Sequence, residues 1–124
     1  MPDVVQERAG VSVLVCDPDG PRVASTQDAL DLIGASFGTE LVAVPVDRLD
    51  ERFFTLSTRV AGEIMQKFVN YRVRLAVVGD ISAHLAASSA LRALVRESNA
   101  AGHVWFVPDL DALDARLRPM NAGS

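Results

Sequence analysis

The chain has a single cysteine, Cys16. One thiol makes no internal disulfide and no cysteine-based zinc site. A surplus of basic residues is also missing: 12 Lys and Arg stand against 16 Asp and Glu, a formal net charge of −4. The overall basic footprint of a nucleic-acid binder is therefore absent, and acids lie near the pair Arg72 and Arg74, so nucleic acid is not an expected partner. No stretch approaches ~18 uninterrupted apolar residues, so no membrane span or membrane partner is expected. The first ten residues carry Asp3, Glu7 and Arg8 and no apolar run. That is not the pattern of a signal peptide, and a cytoplasmic location is expected. There is no internal repeat, no low-complexity linker and no glycine-rich phosphate loop; Gly79 stands alone.

What remains is an ordinary globular composition, 49% hydrophobic and 23% charged over 124 residues. That length suits a single domain with one core, over residues 1–124, with an ordered part at about 11–117. Both ends, Met1–Gly10 and Arg118–Ser124, are expected to fray. Pro119, Asn121 and Gly123 continue a helix poorly.

The middle alternates between strand and helix signals. Val11–Cys16 is a β-branched run closed by the turn Asp17-Pro18-Asp19-Gly20, and Pro21–Ala24 is read as a second strand in a hairpin with it. Ser25 to Asp28 fits a capping box. Ala29, Leu30, Leu32, Ile33 and Phe37 then follow at helical spacing, and Gly38 ends the helix. Leu41–Val46 reads as a strand, followed by an acidic turn from Asp47 to Asp50. From Leu56 to Tyr71 the periodicity is helical. Val60, Ala61, Ile64, Met65 and Phe68 share one face, and Arg59, Glu63, Gln66, Lys67 and Asn70 the other. Glu63 and Lys67 form an i,i+4 pair in the better orientation.

Val73–Val78 reads as a strand covered on both faces. Ser82 to Asn99 reads as one helix, with Leu85, Leu91, Leu94 and Val95 inward. His103–Val107 is the last strand, with Trp105 and Phe106 facing opposite ways. Asp109 caps a final helix with Leu110, Leu113 and Leu117 inward. The expected fold class is α/β, a small sandwich on a mostly parallel central sheet of about five strands with four helices. If every crossover falls on one face, the other face needs an edge loop or a partner. A homodimer is therefore among the expectations.

Ligands of open α/β sheets sit beyond the carboxyl ends of the strands. Those ends deliver Cys16, Asp17, Asp47, Asp80 and Asp109. Gathered together, the aspartates could bind magnesium or do acid–base work. Each also has an explanation as a turn or cap residue. Cys16 with His84 and Asp80 has the residue types of a nucleophile, base and orienting acid, against the reading of a buried, inert thiol. His103 is given no role. Ser57 and Thr58 precede the Val60–Phe68 helix, where a hydroxyl can cap and where a phosphate would meet free N–H groups beside Arg59.

Several stretches carry a family resemblance. They are Phe53-Phe54-Thr55-Leu56-Ser57-Thr58, Val60-Ala61-Gly62-Glu63-Ile64-Met65-Gln66-Lys67-Phe68, Asn70-Tyr71-Arg72 and Ala76-Val77-Val78-Gly79-Asp80. Gln27-Asp28-Ala29-Leu30-Asp31 and Glu97-Ser98-Asn99 add to them. From about Val11 to Leu117 the chain resembles the bacterial family called domain of unknown function 4180. That family has Gly after the Thr of the central motif, where this sequence has Arg59. The resemblance implies no reaction. It does include Glu63, Gln66 and Lys67 by identity, which turns the polar face of that helix towards an interaction or site role.

The element order is also similar to that of STAS domains, the sulfate-transporter and anti-sigma-factor-antagonist fold. In those domains a Ser or Thr at the start of the helix after the third strand is phosphorylated to switch partner binding. By topology that place falls at Ser57 or Thr58, although the Asp-Ser-x-Gly pattern of STAS domains is absent.

The leading expectation is a regulatory or protein-interaction domain with an unidentified protein partner. Its binding or regulatory residues would be Ser57, Thr58, Arg59, Glu63, Gln66, Lys67 and Asp80. No cofactor and no metal enter this reading. The alternative is a small-molecule- or metal-binding protein, or a small enzyme, using the strand-end loops with Glu63 and Lys67.

Overall fold

The structure is a computed structural model and describes residues 3–122, with side chains described for residues 3–118. The fraying expected at residues 1–2 and 123–124 lies outside the described residues.

The first strand begins earlier than the sequence reading expects. β1 (Val4–Arg8) and β2 (Val11–Val15) form an antiparallel hairpin. Its turn residues, Ala9 and Gly10, both have positive φ (49° and 83°). That is the backbone hand matching the twist of a two-residue hairpin. The residues expected to pair as a second strand, Pro21–Ala24, do not pair with β2. Val23 makes an isolated bridge to Leu49 instead.

β2, β3 (Leu41–Pro45), β4 (Arg74–Val78) and β5 (Val104–Val107) then follow in parallel, each beside the last. Three steps in the same direction with the same right-handed crossover put all the connecting helices on one face. α1 (Thr26–Ala35), α3 (Val60–Asn70) and α5 (Ser89–Ala101) lie there. They bury Ala29, Leu32, Ala61, Ile64, Phe68 and Leu91 against Leu14, Val42, Val44, Leu75, Val77 and Phe106 of the sheet. The alternate strand residues, Val13, Leu41, Ala43, Ala76, Trp105 and Val107, face the other way and pack with Leu113 and Leu117. These two leucines belong to α6 (Leu110–Ala122), so the chain's own last helix covers the second face. Arg8 grips Asp114 of α6 through two bonds of 2.7 and 2.9 Å and ties the hairpin to that helix.

The helices carry the expected caps, with four corrections. Ser25 Oγ accepts the Asp28 N–H at 3.3 Å, and Asp28 accepts the Ala24 N–H at 2.9 Å, a variant of the expected capping box. α1 ends before Phe37, which is 94% exposed rather than part of the core face. A short helix, α2 (Glu51–Phe54), follows the expected acidic turn where no helix was expected, and plants Phe53 and Phe54 in the core. The helix expected over Ser82–Asn99 is two: α4 (Ser82–Ala87), then a break at Ser88, whose hydroxyl accepts the Leu91 N–H at 3.1 Å and caps α5. α6 keeps its helical backbone through Pro119 to Ala122, where an end was expected.

Candidate functional site

The turn between α2 and α3 is built from its hydrogen bonds. Asp50 caps α2 by accepting the Arg52 N–H at 3.0 Å, and this bond with the Arg52 side chain holds its carboxyl below the usual range. Phe53 and Phe54 pack edge to face, 5.1 Å between centroids, and anchor the helix. The chain then tightens into a 3₁₀ turn, Leu56–Thr58. The Thr58 hydroxyl sits 2.6 Å from the Arg52 carbonyl and 2.8 Å from that of Thr55. It has one proton, so it donates to one of them at a time. Its oxygen also accepts the Val60 N–H at 3.3 Å. Thr58 therefore pins the turn to the start of α3, which does not begin until Val60. Ser57 is exposed, and its hydroxyl has no partner among the described residues.

Arg59 has φ +65° and ψ 4°, the left-handed region. A residue with a Cβ pays about 1–2 kcal/mol there, and glycine does not. The resemblance noted above places glycine at this position, and the backbone supplies the reason. We expect Arg59→Gly to stabilise the fold by about 1 kcal/mol, less a few tenths for the more flexible unfolded chain. Thermal melts should show a rise of about 2–5 °C. A fall would mean that the arginine side chain makes a contact outweighing the backbone strain.

Along α3, Glu63 and Gln66 are exposed and Lys67 is half-buried. All three line an open groove of about 530 Å³ with Thr26 and Gly62. Gln66 donates to Asn70 at 2.8 Å. Among the described residues Glu63 and Lys67 make no ion pair with each other, and both line the groove.

A second depression, about 390 Å³, brings Ser57 together with His84 and Ser88. The His84 ring lies flat on Phe54, 4.2 Å between centroids at 11°. Asp80 lies in neither place; it lines a third, smaller crevice with Ser82 and Phe106. The seven candidate residues are thus divided. Glu63, Gln66 and Lys67 share one groove, Ser57 adjoins another, Thr58 and Arg59 form the turn, and Asp80 stands apart.

The two chemical constellations read from the strand ends are not assembled. Cys16 is 1% exposed. Burial, then the charge of Asp3, push its thiol up to about 12 against the opposing pull of Arg48. A protonated, inaccessible sulfur is no nucleophile, and its supposed base is occupied in stacking on Phe54. Three of the four aspartates serve their own loops. Asp17 accepts the Asp19 N–H at 2.8 Å, Asp80 that of Ser82 at 2.9 Å, and Asp109 that of Ala112 at 2.8 Å. The Ser82 hydroxyl and N–H hold the Asp80 carboxyl below its ordinary range. Among the described residues no three His, Cys, Asp or Glu side chains are grouped to hold a metal ion. No helix among them is long and apolar enough to cross a membrane. His103 is structural: its Nε2 lies 3.3 Å from the Phe68 carbonyl and 3.1 Å from that of Val73, joining the end of α3 to β5.

The sequence reading missed Arg48. It is 3% exposed and holds the loop after β2. A charged residue in an acidic turn gives no sign of burial; the only local signal is the pattern Asp17-Pro18-Asp19-Gly20, whose glycine the arginine packs against.

The sequence model of the family described as Domain of unknown function (DUF4180) matches residues 8–117. No curated protein and no solved structure matches the chain significantly. The similarity to STAS domains therefore rests on element order alone.

Proposed function

The chain belongs to the DUF4180 family, a domain of unknown function, and from that premise we propose that it is a cytoplasmic regulatory domain that binds a protein partner. Its contact surface is the turn Thr55–Arg59 with the polar stripe Glu63, Gln66 and Lys67, and its switch is modification of Ser57. The observation that carries this reading is the contrast between adjacent hydroxyls. Thr58 is engaged on three sides, whereas Ser57 is exposed and unpartnered on the turn that Thr58 fixes. A phosphoryl group on Ser57 would add about −2 charges beside Arg59 without dismantling the turn. Because the turn is already ordered, little further ordering is needed when a partner docks.

The test is affinity capture from the native host's lysate with quantitative mass spectrometry of prey and of the intact bait. Wild type is compared with Ser57→Glu, Lys67→Glu and a control on the opposite face, Asp111→Asn. One prey should be retained by wild type and the control and reduced at least about tenfold by both site variants, equivalent to about 1.4 kcal/mol. Equal capture by all four baits, or loss with Asp111→Asn as well, would remove this surface from the proposal.

A further inference from the structure

The sheet has one place where consecutive connections part. After β4 the chain turns to the face covered by α5, and after β5 it turns to the face covered by α6. Between β2 and β4 every connection stays on the same side. Parting loops at the carboxyl ends of parallel strands leave a ligand-sized gap. At this point lies the crevice of about 210 Å³ that contains Asp80.

Its walls are apolar side chains, Leu85, Val95, Phe106 and Pro108 among them. Among the described residues Asp80 is the one charged residue that lines it. The Ser82 N–H donates to the exposed Asp80 carboxylate at 2.9 Å and holds it. A carboxylate accepts about four hydrogen bonds, so capacity is left for a ligand. Gly79 positions it: its φ is +145°, and a Cβ there would stand 2.7 Å from Val46 Cγ2, so only glycine lets the strand end turn this tightly.

We propose that this crevice binds a small primary amine with an apolar body, the ammonium on Asp80 and the body between Leu85, Val95 and Phe106. The apolar walls offer a hydrated metal ion no ligands, and one carboxylate is far short of the about six to eight oxygens that calcium takes. An apolar cavity of about 150 Å³ is enough for benzene. The crevice therefore has room for one ring and a short tail. This site is separate from the turn and stripe of the preceding section.

The probe is phenethylamine, with 2-phenylethanol as its uncharged match, titrated at pH 7 and followed by amide chemical shifts in ¹⁵N-labelled protein. Shifts should cluster at residues 79–82 and 106–108, and the amine should bind about fivefold tighter than the alcohol, the size expected for an exposed ion pair. Asp80→Asn keeps the cap and should erase that difference while the alcohol binds as before. Val95→Phe should fill the crevice and abolish binding of both. No saturable shifts, equal affinities in wild type, or an amine preference that survives in Asp80→Asn would overturn the assignment.

Discussion

Truncating Arg48 to alanine should destabilise the protein by about 2–4 kcal/mol, the cost of removing a buried charged donor from its acceptors and leaving its volume unfilled. The guanidinium reaches three separate pieces of chain. Nη1 donates to Asp3 at 2.9 Å and to the Asp17 carbonyl at 3.0 Å, and Nε donates to the Pro21 carbonyl. The backbone of Arg48 also receives the Val23 N–H. Alanine leaves the Pro21 carbonyl without its donor and takes one of two donors from Asp3, which keeps the Asp17 N–H, and from the Asp17 carbonyl, which keeps the Gly20 N–H; it also leaves an unfilled volume, against a total stability of about 5–15 kcal/mol for a domain. Urea titration with far-ultraviolet dichroism should show the loss, and the melting temperature should fall by about 10 °C or more. Arg48→Lys should recover only part of it, because a compact ammonium cannot span three acceptors as a planar fork does. A loss under about 1 kcal/mol for Arg48→Ala would mean that water replaces the arginine.

Gly20 gives this prediction an internal control. A Cβ on Gly20 would lie 2.5 Å from Arg48 Nη1. The φ of Gly20 is not positive, so an alanine there meets the guanidinium and not a backbone penalty. Gly20→Ala should therefore cost about 1–2 kcal/mol in the wild type by displacing the arginine. In the Arg48→Ala background it should cost almost nothing, since the clashing group is gone. Additive losses would place the strain somewhere other than this contact.

Arg48 and Gly20 also mark what is hidden in the sequence. Pattern reading finds segments marked by a continuous apolar run or by burial that repeats with the helical period. Leu41–Pro45, Arg74–Val78 and Val104–Val107 are of the first kind, and the Ala61, Ile64 and Phe68 face of α3 is of the second. It has no access to a polar residue buried by contacts distant in the chain. Arg48 answers to Asp3, Asp17 and Pro21, none of them within one turn of it. The hairpin strand Val4–Arg8 escapes for a related reason: its turn is Ala-Gly, and the usual Asn-Gly or Asp-Gly signal is missing. Phe37 misleads in the opposite direction, since it keeps helical spacing one residue past the helix cap. At the candidate site the residue types were legible but not their grouping. Ser57, Thr58 and Arg59 read as a helix start, whereas the left-handed Arg59 delays the helix and makes them a projecting turn. Asp80 reads as one of four strand-end acids, and it takes the parting of α5 and α6 to give it a crevice of its own.

Cys16 offers the second large effect, a kinetic one. At pH 8, iodoacetamide should alkylate it in the folded protein at least about a thousandfold more slowly than in the chain unfolded in urea. The thiol rises from its ordinary 9.0 to about 12 on folding, which lowers the reactive thiolate by three powers of ten before access is considered. The same shift sets a pH dependence. Between about pH 9 and 12 the folded state keeps a proton that the unfolded chain has released, so the unfolded state binds fewer protons and stability falls as pH rises through that window. Below pH 9 both states carry the thiol and this group contributes no slope. Cys16→Ala should remove the alkaline slope of up to about 1.4 kcal/mol per pH unit. Arg48→Ala should speed alkylation of the native protein, because Arg48 holds the Asp17 and Pro21 carbonyls of the loop that follows Cys16. Fast labelling of the intact wild type at pH 8 would contradict a thiol locked in the core and would return Cys16 to the list of candidate nucleophiles. Slow labelling that accelerates when Arg48 is removed would make the arginine the clasp of that edge of the sheet.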